Sequence, residues 1–221
     1  MQPARIAELL DRYLGPPDAR RLPPDAYEHI STYIDLLQRW NARVNLSAIR
    51  NEEEIVTRHF GESLFAASRL FPLCSSVPPV VKGIEVADVG SGAGFPGIPI
   101  KLWAPQISLT LIESNHKKAT FLKELTRALT LTDINIQTAR AETIPPASFD
   151  IVTLRAVERF ETILPVAAGL VASGGRLALL IGSAQFNVAQ SALRDLVWSS
   201  PLPIPNSRSR VLAIADVSAP A

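Results

Sequence analysis

The chain has 221 residues, 47% of them hydrophobic and 19% charged, and its 22 Lys and Arg against 21 Asp and Glu leave a formal net charge of +1. This balance excludes an intrinsically disordered chain, and it excludes nucleic-acid binding driven by an overall basic field. One cysteine, Cys74, with three histidines, His29, His59 and His116, excludes a disulfide framework and a multi-cysteine metal centre and argues against a zinc enzyme.

The first 75 or so residues read as helices. Ile6, Leu9, Leu10 and Tyr13 or Leu14 make a short amphipathic stripe, ended by Gly15-Pro16-Pro17. It carries Arg5, Glu8, Asp11 and Arg12, too many charges for a secretory signal, so a cytoplasmic protein is expected. No apolar run is long enough to cross a bilayer. After Pro23-Pro24, Tyr27, Ile30, Ile34, Leu37, Trp40 and Val44 recur at helical spacing. Asn41 to Arg50 reads as a connector, and a third helix is expected from Glu52 to about Leu70, with three glutamates in its first turn. Residues 72–82 form the expected linker between a helical cap, 1–78, and a core, 79–221.

Beyond the linker, strands are predicted at Ile84 to Val89, Ser108 to Ile112, Ile134 to Thr138, Phe149 to Leu154, Arg176 to Ile181 and Val211 to Val217. Helices are predicted after Gly94, over Lys117 to Leu129 and over Ile163 to Val171, with a turn at Gly174-Gly175 and a loop through Pro201 to Pro205. Alternating strands and helices imply an α/β fold with a mainly parallel, doubly wound sheet.

The run Val86-Ala-Asp-Val-Gly-Ser-Gly-Ala-Gly-Phe-Pro-Gly-Ile-Pro99 joins the first strand to a helix. Gly90, Gly92 and Gly94 leave the backbone bare for a ligand, and the helix start behind them offers free N–H groups. Gly92-Ala-Gly-Phe-Pro-Gly97 also fits the dinucleotide pattern of a nicotinamide or flavin Rossmann domain. Asp88 separates the two readings: a carboxylate there repels a pyrophosphate but attracts the sulfonium and ammonium of S-adenosylmethionine (SAM). Glu113 closes the next strand, where it could accept the ribose hydroxyls, and Glu142 follows the third, beside the adenine. These acids at successive strand ends favour a class I SAM-dependent methyltransferase, and replacing Asp88 by Ala is expected to weaken SAM binding with the fold largely intact.

The chain resembles the RsmG (GidB) family of bacterial small-subunit rRNA methyltransferases, which modify a guanine of 16S rRNA at N7. The resemblance rests on Leu37-Gln-Arg-Trp-Asn41 with Asn45-Leu-Ser47, Arg58-His59, Glu62-Ser63, the Gly-Phe-Pro-Gly-Ile-Pro extension, Glu113-Ser114, Phe121-Leu122, Ser148-Phe-Asp150 and Arg155-Ala156. It places SAM contacts at Gly90, Phe95, Ala141, Glu142 and Arg155, an acid at Glu113, and RNA contacts at Lys117 and Lys118. The chain departs from the family at Ile181, where a Lys is usual, and over Ser207 to Leu212.

Guanine N7 has a lone pair and no proton to lose, so the implied reaction needs alignment and no general base. That suits a chain without a recognisable triad; Arg155 at the end of the fourth strand is the candidate catalytic residue, positioning base or cofactor. Lys117, Lys118, Lys123 and Arg127 share a helix that reads equally as a solvated face, and Arg155, Arg159, Arg208 and Arg210 could extend a patch. His59 reads as a structural hydrogen-bonding residue, Trp40 as an anchor between cap and sheet, Trp103 and Trp198 as packing residues, and Cys74 as an inert thiol. No apolar stripe is left over for a second copy, which predicts a monomer. The competing functions are methylation of a small molecule or protein, a nicotinamide oxidoreductase, and an RNA-binding module without activity.

Overall fold

The computed structural model describes residues 1–15, 22–72 and 83–218. Pro16, Pro17 and nearly all of the expected linker, Cys74 included, lie outside the described residues. The helices are α1 (Pro3–Leu10), α2 (Pro24–Asn41), α3 (Glu52–Glu54), α4 (Glu62–Leu70), α5 (Gly97–Trp103), α6 (His116–Ala128), α7 (Phe160–Gly169) and α8 (Ser183–Ala192). The strands are β1 (Glu85–Val89), β2 (Ser108–Ile112), β3 (Ile134–Gln137), β4 (Phe149–Arg155), β5 (Val171–Gly182), β6 (Val197–Trp198), β7 (Leu202–Pro203) and β8 (Arg210–Asp216). They form one sheet in the order β3-β2-β1-β4-β5-β8-β6, with β7 also against β8. The first five strands pair in parallel, and β8 runs antiparallel to β5, β6 and β7.

The central strands are buried on both faces, so their residues alternate between two apolar layers. Val86, Leu109, Leu111, Ile151, Ala178 and Leu180 face one layer, completed by Ile6, Ile30, Ile34, Leu37, Leu64, Ile98 and Phe121 from the cap and from α5 and α6. Ala87, Val89, Ile112, Val152, Leu154, Leu177 and Leu179 face the other, covered by Leu164, Ala167 and Ala189 of α7 and α8. The cap helices therefore complete the core on one side of the sheet. Among the described residues no helix is long and apolar enough to cross a membrane.

The structure differs from expectation in three places. The helix expected over 52–70 begins as α3, capped by Asn51, whose side chain accepts from Glu54 N at 3.0 Å. It widens into a π-helical stretch, Ile55–Gly61, before continuing as α4. A Cβ at Gly61 would stand 2.6 Å from the Tyr13 ring, so a glycine lets the cap close here. Second, α7 starts earlier and ends at Gly169, while the expected Gly174-Gly175 turn lies inside β5. Gly174 takes φ +76°, and the pairing of β4 with β5 shifts register there, so the glycines bulge the strand instead of ending it. Third, α8, β6 and β7 were not anticipated. Only Ala189 of α8 is buried, so no apolar stripe marks it, and Pro203 fits a strand because β7 is a two-residue element with no interior ladder to break.

Candidate active site

The sheet order reverses between β1 and β4, and the glycine turn sits at that point, beyond the carboxyl end of β1. The amides of Gly90 and Ser91 donate to Ile112 O at 2.9 and 3.1 Å, and Gly94 N donates to Ser91 O at 2.7 Å. Asp88 lies beneath the turn, 1% exposed. Its Oδ2 accepts from Gly97 N at 3.1 Å and its Oδ1 from the Thr153 hydroxyl at 2.9 Å, which ties β1 to the start of α5 and to β4. Burial pushes the Asp88 carboxyl up to about 7, although the bonds from Thr153 and Gly97 oppose that rise. Glu113 accepts from Gly92 N at 2.9 Å and from Asn115 N at 2.7 Å, which binds the turn to the end of β2. A carboxylate offers about four lone-pair sites, so Glu113 retains acceptor capacity beyond these two bonds.

The turn has an open side and a closed side. Gly90 is exposed, and a Cβ at Gly92 would meet only Gly90 O, at 3.7 Å, which leaves bare backbone for a ligand to rest on. Gly94 faces inward with φ +92°, and a Cβ there would stand 2.5 Å from the Tyr33 hydroxyl. That hydroxyl donates to Ala93 O. Phe95, 6% exposed, is sandwiched between the Tyr33 ring at 5.0 Å and the His59 ring at 4.7 Å, with Phe60 edge-on. Gly94 and Phe95 thus lock the turn to the cap. Gly94→Ala is expected to cost about 2 kcal/mol of unfolding free energy through overpacking and backbone strain, read as a lowered midpoint in urea.

The remaining expected contacts lie on the segments that follow β2 and β3. Ala141 is buried and Glu142 exposed on the 3₁₀ turn Ala141–Thr143 that follows β3. Asp88 is the penultimate residue of β1, and Glu113 and Glu142 follow β2 and β3, so the three acids belong to three adjacent strands. Lys117, exposed, and Lys118, half-buried, occupy the first turn of α6, where the Asn115 side chain accepts from both their amides. Trp40 packs its ring on Phe121 and donates Nε1 to Glu124 at 3.1 Å, so it anchors the cap to α6 and not to the sheet.

On the other side of β1, Arg155 ends β4 with its side chain 7% exposed. Its Nη2 donates to Arg58 O at 2.8 Å and to Glu62 Oε2 at 3.1 Å, and lies 3.2 Å from His59 Nδ1. A guanidinium only donates, so His59 Nδ1 is the acceptor and the ring proton sits on Nε2, facing the Ser47 hydroxyl at 2.7 Å. Burial, then the cations Arg155, Arg58 and Arg210, lower the His59 pKa to about 3. Ser47 is held in turn by Asn41, whose side chain accepts from the amides of Leu46 and Ser47 and donates to Ser47 O. Glu62, with a side chain only 4% exposed, also meets Arg210 of β8, whose Nε is 3.0 Å from Glu62 Oε2. Arg155 and His59 stand out in the sequence, whereas the link that Glu62 makes between Arg155 and Arg210 does not. Residues 62, 155 and 210 share no spacing pattern: the β4-β5-β8 order brings the two arginines together, and Glu62 reaches them from the start of α4.

A family model described as GidB, rRNA small subunit methyltransferase G, matches residues 26–200. The Ribosomal RNA small subunit methyltransferase G of Roseiflexus castenholzii is 36% identical over 212 residues, covering 90% of this chain and 87% of its own. The protein of the same name from Xanthomonas campestris pv. campestris is 39% identical over 165 residues, 74% of this chain and 73% of its own. Among solved structures, magnesium protoporphyrin IX methyltransferase from Synechocystis PCC 6803 with bound SAM aligns with a TM-score of 0.64 at 14% identity, over 86% of this chain and 97% of its own. TYW2 of P. horikoshii in complex with MeSAdo aligns with a TM-score of 0.57 at 16% identity, over 73% and 63%. These two likenesses establish the fold, that of class I SAM-dependent methyltransferases.

Proposed function

The chain belongs to the GidB family, rRNA small subunit methyltransferase G, and on that premise we propose that it transfers the methyl group of SAM to N7 of a guanine in 16S rRNA. The observation that carries this reading is the bare backbone at Gly92, together with one acid near the end of β1 and one after each of β2 and β3. A donor bearing a sulfonium and an ammonium suits such a cradle, and a pyrophosphate does not.

When bound, SAM supplies a methyl group made electrophilic by its sulfonium. Gly90 and Gly92 carry the donor on their main chain. Glu113 directs its spare acceptor sites at the ribose, and Ala141 and Glu142 border the adenine. Asp88 acts from below: it fixes the turn through Gly97 and Thr153, and its charge favours the cationic ligand above. N7 attacks with its own lone pair, so no residue removes a proton. Arg155, across the seam from the turn, positions the guanine by donating toward O6, and Lys117 and Lys118 meet the RNA backbone. The enzyme works as a monomer in the cytoplasm; among the described residues the exposed large apolar side chains are Val188 and Val197, which form no stripe for a second copy.

Radiolabelled methyl transfer to rRNA from cells lacking the enzyme, followed by base mapping, tests the reading. Label on a single guanine N7 is expected. Label confined to protein or small molecules, or to another atom of the RNA, overturns it. Gly92→Asn probes the cradle separately: Asn tolerates the left-handed φ of +56° at this position, so folding is expected to persist. Its side chain fills the open face, and SAM affinity by calorimetry is expected to fall by about 100-fold or more.

A further inference from the structure

We propose that Arg210, Arg155 and the N-terminal end of α8 form an oxyanion subsite that holds one phosphodiester of the RNA strand beside the target guanine. This inference rests on the rRNA substrate proposed above.

A cavity of about 50 Å³ lies beyond the ends of β4 and β5, lined by Arg155, Val157, Phe160, Ile181, Gln185 and Arg210. It is far too small for a base or a whole cofactor, and its size suits a single polyatomic group. Two guanidiniums reach it and share one carboxylate, Glu62, so the group carries an excess positive charge. The donors are not used up. Arg155 Nε is buried without an acceptor, and Arg210 Nε, although 3.0 Å from Glu62 Oε2, is too bent toward it for a hydrogen bond. A buried donor without a partner costs about 1 to 3 kcal/mol, and on binding the two guanidiniums would turn toward an oxyanion in the cavity, whose acceptors would offset that cost. The ten-residue helix α8 begins at the same cavity through Gln185, with its positive dipole end.

The sheet order separates this subsite from the donor pocket. Asp88 stands near the end of β1 and Glu113 and Glu142 follow β2 and β3, whereas the arginines stand on β4 and β8, on the opposite side of the seam. An acid-lined half suits a cationic donor, and an arginine-lined half suits an anionic strand. The two halves touch: Val157 lines the cavity, and its Cγ1 lies 2.8 Å from where a Gly90 Cβ would be. A phosphate in the cavity is therefore next to the turn that carries the methyl donor, one nucleotide's reach from the reacting base.

Arg210→Gln and Gln185→Glu are the test, assayed for SAM affinity by calorimetry and for methylation of small-subunit rRNA at several salt concentrations. Gln185 is exposed, and a glutamate there still accepts from Gly182 N, so that variant folds even if Arg210→Gln does not. Both variants are expected to raise the rRNA KM by about tenfold with SAM affinity within twofold of wild type. Arg210→Gln should also lower the salt slope by about 0.7 to 0.9, the value of one phosphate contact. An unchanged rRNA KM and salt slope overturns the subsite. A parallel loss of SAM affinity also overturns it and assigns the arginines to the carboxylate of the donor. If the wild-type enzyme itself methylates no rRNA, the functional reading has failed, and that result is distinct from either outcome for the variants.

Discussion

Glu62→Gln is expected to lower the unfolding free energy by about 3 to 5 kcal/mol, the cost of removing one partner from a buried ion pair. Glu62 is the carboxylate between two guanidiniums, and its side chain and that of Arg155 are 4% and 7% exposed. Without its charge, both cations keep only neutral acceptors, Leu180 O, Arg58 O, His59 Nδ1 and the glutamine amide oxygen. Adding Arg210→Gln to Glu62→Gln should recover part of the loss, because one of the two stranded charges is removed. Urea denaturation of the three variants measures this. A loss below about 1 kcal/mol for Glu62→Gln would place the triad with solvated surface pairs.

The second large effect is a pH-dependent gain in stability from Asp88→Asn in the absence of SAM. Asp88 titrates near 7 in the folded chain against an ordinary 3.8. Its contribution to stability is therefore complete below 3.8 and is lost as pH rises through about 7. His59 runs the other way: its folded pKa of about 3 lies below the ordinary 6.5, so its contribution is complete above 6.5 and is lost as pH falls toward 3. Between those limits the slopes oppose, and wild-type stability should change little. Asparagine keeps an acceptor for Gly97 N, and Thr153 can turn its hydroxyl to Ala87 O, 3.2 Å away, so the variant folds. Asp88→Asn is expected to match wild type near pH 4 and to exceed it above pH 7 by as much as about 4 kcal/mol, at about 1.4 kcal/mol per pKa unit. It should also show the uncompensated loss of stability in acid that His59 causes. Denaturation curves from pH 4 to 8.5 decide this; wild-type and variant profiles that stay parallel would refute it.

Much of this architecture is legible in the residues because local chemistry and position coincide. The apolar runs of β1, β2 and β4 and the glycine turn after β1 are local signals, and the acids Asp88, Glu113 and Glu142 belong to the ends of successive strands in sequence as in the sheet. The C-terminal elements are harder to read: α8 has almost no buried stripe, and β6 and β7 are two residues each, too short for any periodicity. Burial is harder still. Asp88 and Phe95 stand at the two ends of a turn that is open at Gly90, yet the first is sealed under the turn and the second is held between Tyr33 and His59. The environment of Phe95 comes from α2 and the π-helical stretch, distant in sequence, closing over the turn, and that of Asp88 is completed by Thr153 of β4.

The division of charge across the seam between β1 and β4 bears on turnover under the proposed chemistry. Transfer moves a positive charge from sulfur on the acid-lined side to the guanine ring on the arginine-lined side. The spent donor, now a thioether, loses part of its attraction to the carboxylates, and the modified base becomes a cation facing cations. Each product is thus a poorer guest of its own compartment than the reactant it replaced, and the reaction itself supplies the impulse for both to depart.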